Sequence, residues 1–277
     1  MPLTLPTHPV VAVALKRWRP RWFDGVALTV GAVVPDIAFV ADGYGVTIHS
    51  HAWHAPLWWA LPLTLVATRL IRWAAPTIAA HLPDVGGLAL RDYGTLGKVR
   101  HSWRVTTTSA LVGAASHIGW DAFTHPTVDG GRVIFPFLRH QVWSGVPWWE
   151  LLSAVSNIVG LVAGAAMVLH LGRSRLLRQW YGAPPPTVPR PVLFWPVVAC
   201  VVTVGLATLP LHPVRLPADQ AIRVMVIVAF ALLAGAAVVR SPALTHRHSI
   251  LDARSEGSEP GAEAVVRVTA SRQPPER

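Results

Sequence analysis

Cysteine is almost absent from this sequence of 277 residues: Cys200 is the single one, and it lies in an apolar segment. An intrachain disulfide and a metal site built on thiolates are therefore excluded. Charged residues are also scarce, at 14%, whereas soluble domains carry about a quarter. The sequence also lacks the G-x-S-x-G turn of serine hydrolases, the P-loop and the G-x-G-x-x-G fingerprint. These absences argue against a serine nucleophile and against nucleotide binding.

Apolar residues, by contrast, are abundant. They make up 52% of the chain, with 13 tryptophans among them, and the mean hydropathy is +0.42. Tryptophan accumulates where a protein crosses the membrane–water interface, so we predict an integral membrane protein. The net charge is +10, but the basic residues cluster in loops between apolar segments. We therefore expect membrane lipids with anionic headgroups, and no nucleic acid, as partners.

The apolar residues fall into stretches whose lengths suit membrane helices, which need about 20 residues each. The predicted fold is an all-α, polytopic membrane bundle with about six apolar helices. The last three stretches are the longest, and the first and third contain polar residues. The stretches are residues 26–41, 53–71, 105–120, 151–171, 191–209 and 221–239.

Every second loop is basic, which under the positive-inside rule places those loops and the C-terminus in the cytoplasm of a multi-pass cell-membrane protein. We predict a helical metal-site domain over residues 1–150 and an extension of membrane helices over 151–240, with a stiff proline-rich linker near Pro184–Pro189. Residues 241–277 are polar and mixed in charge, and we predict a disordered tail there.

His117 and Asp121 are the most informative pair in the chain. They are spaced i, i+4 at the end of an apolar helical stretch, so both side chains face the same way. An imidazole and a carboxylate placed like this can hold one metal ion. The alternative is a purely structural pair in which the two side chains hydrogen-bond each other. Ionisable groups beside such apolar sequence are costly to bury unless they are paired or functional.

Further donors lie before residue 126. His8, Asp36 and His49 are candidate metal ligands, and His51 and His125 are candidate proton donors. Asp36 follows a proline within an apolar stretch, so it is either a ligand or a helix cap. His49 and His51 could also be interfacial loop residues. His125 precedes a proline, which pushes it out of the helix and lets it fold back as a ligand, as a supporting donor or simply as loop packing.

These residues give the chain a resemblance to an uncharacterised bacterial membrane family related to the YdjM-like group, predicted to be membrane-bound metal-dependent hydrolases. The likeness covers about residues 1–145. It implies a membrane-bound hydrolase with a metal site. The matching pieces are Met1–Thr4, Thr7–Pro9, Gly31–Asp36, His49–Ser50, Ser116–His117 with Asp121, Phe123–His125, and Gln141 near Ser144.

A more distant likeness is to the zinc-dependent bacterial phospholipase C and single-strand nuclease group. Those helical enzymes draw ligands from an N-terminal residue, an Asp, a His about fourteen residues later and a His-x-x-x-Asp helix. His8, Asp36, His49, and His117 with Asp121 fall in that order. The likeness implies metal-assisted hydrolysis of a phosphoester.

Two hypotheses follow. In the first, the chain is a membrane-bound hydrolase of a lipid or lipid-linked phosphoester that uses one or two divalent ions, with zinc expected from the donor types. Such an ion lowers the pKa of bound water towards ~7, and His125 or His51 protonates the leaving group. In the second, it is a non-enzymatic membrane protein, either a transporter with a His/Asp relay or a scaffold. Relay residues are strung across the membrane depth, whereas metal ligands converge on one point.

Overall fold

The structure is a computed structural model that describes residues 7–125, 135–211 and 217–241. Its α-helices, in chain order, are α1 His8–Trp18, α2 Gly25–Gly31, α3 Val34–Ile37, α4 Leu61–His81, α5 Trp103–Thr124, α6 Trp148–Arg173, α7 Leu176–Tyr181, α8 Pro191–Thr208 and α9 Pro217–Arg240. Short 3-10 helices lie at Ala38–Ala41, Gly86–Leu88, Leu90–Lys98, Pro136–Arg139 and Leu209–Leu211, and a π-helical turn, Pro56–Ala60, runs directly into α4. Two short strands, β1 Gln141–Trp143 and β2 Val146–Pro147, pair as an antiparallel hairpin.

Three helices are long and apolar enough to cross a membrane: α6, α8 with the turn that follows it, and α9. This agrees with a helical membrane protein and confirms the last three predicted stretches. The other three stretches fall on α2 with α3, on the π-helical turn with α4, and on α5. Among the described residues α2 and α3 are too short to span a bilayer, and α4 and α5 are long enough but not apolar enough, so six apolar spanning helices are not seen. The division at residue 150 stays a prediction, and the tail from residue 242 lies outside the described residues.

Asp24 joins three helices of the first half of the chain. Its carboxylate caps α2 by accepting from the Ala27 N–H at 3.3 Å. It also accepts from the Arg72 guanidinium of α4 at 2.5 Å and from the Thr106 hydroxyl of α5 at 2.8 Å. Asp24 is fully buried, and a buried carboxylate is stable only when it is paired in this way. Its contacts fix the positions of α2, α4 and α5 relative to one another.

The helices α2 and α5 pack backbone against backbone. Gly31 of α2 faces the main chain of Ala110, and Gly113 of α5 faces the main chain of Leu28; a methyl group added at either glycine would overlap those atoms. Small residues are what allow membrane helices to approach so closely. The contact brings the end of α2 to the part of α5 that carries the candidate ligands.

The ends of α5 are set by its sequence. Ser102 caps the first turn by accepting from the Val105 N–H at 3.4 Å. The helix ends at Thr124, and His125 is extended with φ −122° and ψ 142°. The position of His125 before Pro126 predicts this change of direction, and the structure confirms it.

Candidate metal centre

Six side chains from separate parts of the chain meet near the C-terminal end of α5. All of them are buried or half-buried. Their meeting point depends on the close packing of α2 on α5 and on the turn of the chain after α5. They are His8 at the start of α1, Asp36 in α3, His51 in the loop before the π-helical turn, His117 and Asp121 on α5, and His125 directly after α5.

Asp36, His51, His117 and Asp121 form a group that could hold a metal ion, with one donor atom from each within 4.8 Å of the others. The Nε2 atoms of His51 and His117 are 3.2 Å apart. Asp36 Oδ1 lies 3.4 Å from both nitrogens, and Asp121 Oδ2 lies 3.3 and 3.2 Å from them. A tetrahedral zinc ion with ligands at about 2.0–2.1 Å has donor–donor edges of about 3.3 Å. These separations therefore fit a single tetrahedral ion, and we call this group the first metal position.

His117 is oriented by the main chain of α2. Its Nδ1 lies 2.8 Å from the carbonyl oxygen of Ala32. Because a carbonyl can only accept, Nδ1 carries a proton and donates it, so Nε2 faces the group. Burial alone would lower the pKa of His117, but hydrogen bonds with Asp121 and Asp36 raise it to about 10. Without an ion Nε2 is therefore protonated, and a bound cation would displace that proton. Metal-bound histidines typically donate their second N–H to such a partner. The close packing of α2 on α5 therefore also sets the tautomer of His117.

His51 has a similar partner on its other nitrogen. Its Nδ1 lies 3.0 Å from the Ser50 hydroxyl oxygen, and its Nε2 points into the first metal position. The His51 side chain is 16% exposed, compared with 7% or less for the other three ligands. The site is thus most accessible on the side of His51.

The second carboxylate oxygen of Asp121 faces a different pair of imidazoles. Asp121 Oδ1 lies 3.4 Å from His8 Nε2 and 3.3 Å from His125 Nδ1. His8 Nε2 and Asp121 Oδ1 are both buried without a hydrogen-bond partner among the described residues. The arrangement resembles the first metal position in donor types, with one carboxylate oxygen shared by imidazole nitrogens. We call these three donors the second donor set.

The environment of the cluster keeps its two carboxylates ionised. Burial alone would raise the pKa of Asp36 and of Asp121, but hydrogen bonds with His117 and with the other imidazoles outweigh it and lower both pKa values. Burial lowers the pKa of His8 to about 4, with nearby His117 contributing in the same direction. His8 therefore presents a neutral ring. Ionised carboxylates together with a neutral imidazole make a donor set that attracts a divalent cation.

The structure brings His51, rather than His49, into the first metal position. His49 is exposed and lies outside the group of four. Three hydroxyls stand next to candidate ligands in the sequence, and the structure separates them: Ser50 contacts His51 and Thr124 contacts His125, but Ser116 donates to the carbonyl of Gly113. Sequence reasoning missed the Ala32 carbonyl, which has no side-chain signature. The glycines that allow α2 to approach α5 were the available signal.

The site lies at the end of α5 that is far from the basic residues. α1 begins with His8 beside Asp121 and ends at the basic residues Lys16 and Arg17. α5 begins near Arg104, and His117 comes about 20 Å further along its axis. The two helices therefore run in opposite directions, and both place their ligands away from their basic ends. With 11 residues, α1 spans about 16 Å, roughly half of a bilayer core.

The chain belongs to the family described as Domain of unknown function (DUF4184), whose family model matches residues 1–246. Comparison with curated proteins and with solved structures gives no match. The matched range includes all six clustered side chains and also α6 to α9. The apolar helices and the His/Asp cluster are therefore parts of one family unit.

Proposed function

We propose that this protein is a membrane-bound metal-dependent hydrolase that acts on a lipid or lipid-linked phosphoester. The observation that carries the proposal is the set of five donor separations of 3.2–3.4 Å among Asp36, His51, His117 and Asp121. Zinc is the ion that this mixture of imidazole and carboxylate donors favours.

The convergence of the donors supports a metal site over a proton relay. A relay across a membrane needs titratable groups at successive depths. Here ligands from α3, the His51 loop and α5 meet within one coordination sphere. The Ser50 hydroxyl, 3.0 Å from the second ring nitrogen of His51, also fits the supporting partner of a metal-bound histidine, because it can accept from Nδ1 when Nε2 holds the ion.

Two ions fit the donors better than one. Four protein ligands fill a tetrahedral sphere, as in structural zinc sites, whereas catalytic sites keep an open position. The second donor set, His8, Asp121 Oδ1 and His125, has three protein donors and leaves such a position. Asp121 contributes one carboxylate oxygen to each donor group, Oδ2 to the first and Oδ1 to the second. Paired divalent ions activate water and stabilise the charge on phosphoryl oxygens.

The surroundings favour a substrate that resides in the membrane. The chain carries three helices able to cross a bilayer. The accessible ligand, His51, is followed by the exposed aromatic residues Trp53 and Trp58, which are 87% and 49% exposed. Tryptophan at a membrane–water interface fits beside lipid headgroups. The site is at the end of α5 away from the basic residues, so the positive-inside rule favours the non-cytoplasmic side for it.

Metal analysis of the full-length protein purified in detergent tests the proposal. We expect zinc or another first-row divalent ion to copurify, and we expect metal-dependent release of phosphate or a phosphorylated headgroup from phospholipid in vesicles. His117→Ala should abolish both, while Asp84→Asn, a change at an exposed carboxylate, should leave them unchanged. A folded wild-type protein that binds none of zinc, manganese or iron would end the proposal.

His8→Gln separates the two-ion arrangement from a single ion. It should lower the metal content from about two ions per chain to about one, because the first metal position keeps its four ligands. Hydrolysis should fall greatly, because the second donor set, which leaves an open position, loses a ligand. A non-enzymatic structural metal site is the alternative, and the complete four-ligand set favours it. In that case wild type would hold one ion, His8→Gln would leave it bound, and no phosphoester would be cleaved.

A further inference from the structure

Arg223 is a buried charge in a helix that is otherwise suited to lipid. It lies in α9, which is one of the three helices apolar enough to cross a membrane, and it is only 4% exposed. A charged side chain within such a helix is costly and needs compensating contacts. The guanidinium makes two such contacts with the loop between two metal ligands.

The loop contacts are made to main chain and to an aromatic ring. The Arg223 guanidinium donates to the carbonyl oxygen of Asp42, and it lies over the Tyr44 ring at 5.2 Å from the centroid. α9 also packs against α3 and against the 3-10 helix Ala38–Ala41. Through these contacts α9 holds the chain directly after Asp36.

The loop between Asp36 and His51 has little regular structure to hold it. After the 3-10 helix, Gly43 and Gly45 adopt left-handed φ values of 83° and 74°, and residues 43–47 are exposed. The two ends of this segment carry two of the four ligands of the first metal position. Any movement of the segment therefore changes the separation between Asp36 Oδ1 and His51 Nε2.

We propose that Arg223 is a positioning residue for the metal centre, and that α9 fixes the Asp36–His51 segment in its ligand-binding conformation through Asp42 and Tyr44. The apolar extension would then be part of the site and not only a membrane anchor. The match of the family model to residues 1–246, which include α9, agrees with this role. The inference rests on the proposed metal centre, but one of its consequences can be measured without metal.

The matched control is on the same helix. Arg240 lies over the Trp73 ring at 5.1 Å, so it makes the same type of contact at the other end of α9. Arg223→Gln and Arg240→Gln remove the same charge from the same element. Only Arg223→Gln should affect the Asp36–His51 segment.

The experiment uses the full-length protein in detergent and two readouts. The first is the affinity for Co²⁺ and its visible absorption spectrum. We expect Arg223→Gln to weaken binding by about 10–100-fold, as loss of a ligand-supporting partner does, and to change the spectrum. Arg223→Lys should recover part of the affinity, and Arg240→Gln should match wild type. The second is hydrogen–deuterium exchange, in which Arg223→Gln should raise uptake in residues 38–50 but not in α5.

The outcomes separate the two proposals. Suppose that the wild type binds no metal but Arg223→Gln still raises uptake in residues 38–50. The hydrolase proposal would then be wrong, and the role of Arg223 in fixing the Asp36–His51 segment would stand. A metal-loaded Arg223→Gln protein with wild-type affinity, spectrum and exchange would overturn the positioning role. If Arg223→Gln does not fold, Tyr44→Ala tests the same contact at a half-exposed ring. It should shift the Co²⁺ spectrum and raise uptake in residues 38–50, and an unchanged result would also overturn the role.

Discussion

The helices α5 and α8 are both apolar, but they use their apolar residues in opposite ways. In α5 the buried face consists of small and polar residues, including Ser109, Gly113, His117 and Asp121, while Trp103 and Trp120 are exposed. In α8 only 6% of the most apolar window is buried. The buried residues of α5 offer little apolar area, so close packing and polar contacts hold the helix against its neighbours. The exposed apolar side chains of α8 suit a surface for lipid, and none of the six clustered donors comes from α8.

The largest stability effect should come from Asp24, the polar contact that joins α5 to α2 and α4. Asp24→Ala leaves Arg72 without its buried partner, and loss of one member of a buried ion pair costs about 3–5 kcal/mol. Thermal unfolding in detergent measures the loss, with exposed Asp84→Ala as the control. If both variants unfold at the wild-type temperature, polar contacts do not hold the α5 half of the molecule together.

Gly113→Ala should have the next largest effect, because its methyl group would overlap the main chain of Leu28. Forced overpacking costs about 1–3 kcal/mol. It would also push α2 outward and lengthen the bond from His117 Nδ1 to the Ala32 carbonyl, so metal affinity should fall as well.

Gly119→Ala is the matched control on the same helix, because an added methyl group there meets no atom within 4 Å. It should keep both stability and metal content, or gain slightly from better helix propensity. Equal stability and metal content of Gly113→Ala and Gly119→Ala would show that backbone contact between α2 and α5 is not needed for the site.

The sequence predicted those parts of the site that depend on local geometry. The i, i+4 spacing placed His117 and Asp121 on one face of α5, and Pro126 predicted the turn that returns His125 towards Asp121. These inferences need only the helical period and the restriction before proline.

What the sequence could not predict depends on long-range packing. His49 and His51 lie in a loop without periodicity, so nothing local favours one over the other. The Ala32 carbonyl becomes a partner of His117 only because α2 approaches α5. Length and hydropathy also overcounted the spanning helices, because the helix is interrupted between α2 and α3 and because α4 and α5 are not apolar enough. α1 is too short to cross a bilayer, and this explains how His8 reaches the site from a segment that ends in basic residues.

The smallest effect should come from a substitution on the exposed face of α8. Val204 of α8 is 61% exposed, so Val204→Leu adds a methylene group where a bilayer or detergent surrounds it. Substitutions at such positions change stability by no more than about 0.5 kcal/mol, and metal content should be unchanged.

Phe194 of the same helix is fully buried and stacks on the His81 ring at 4.2 Å, so Phe194→Ala should destabilise the protein clearly. Thermal unfolding of the two variants side by side measures how sharply α8 divides between a packed edge and a lipid surface. A large loss with Val204→Leu would mean that α8 is covered by protein, for example by a second copy of the chain, and is not a surface for lipid.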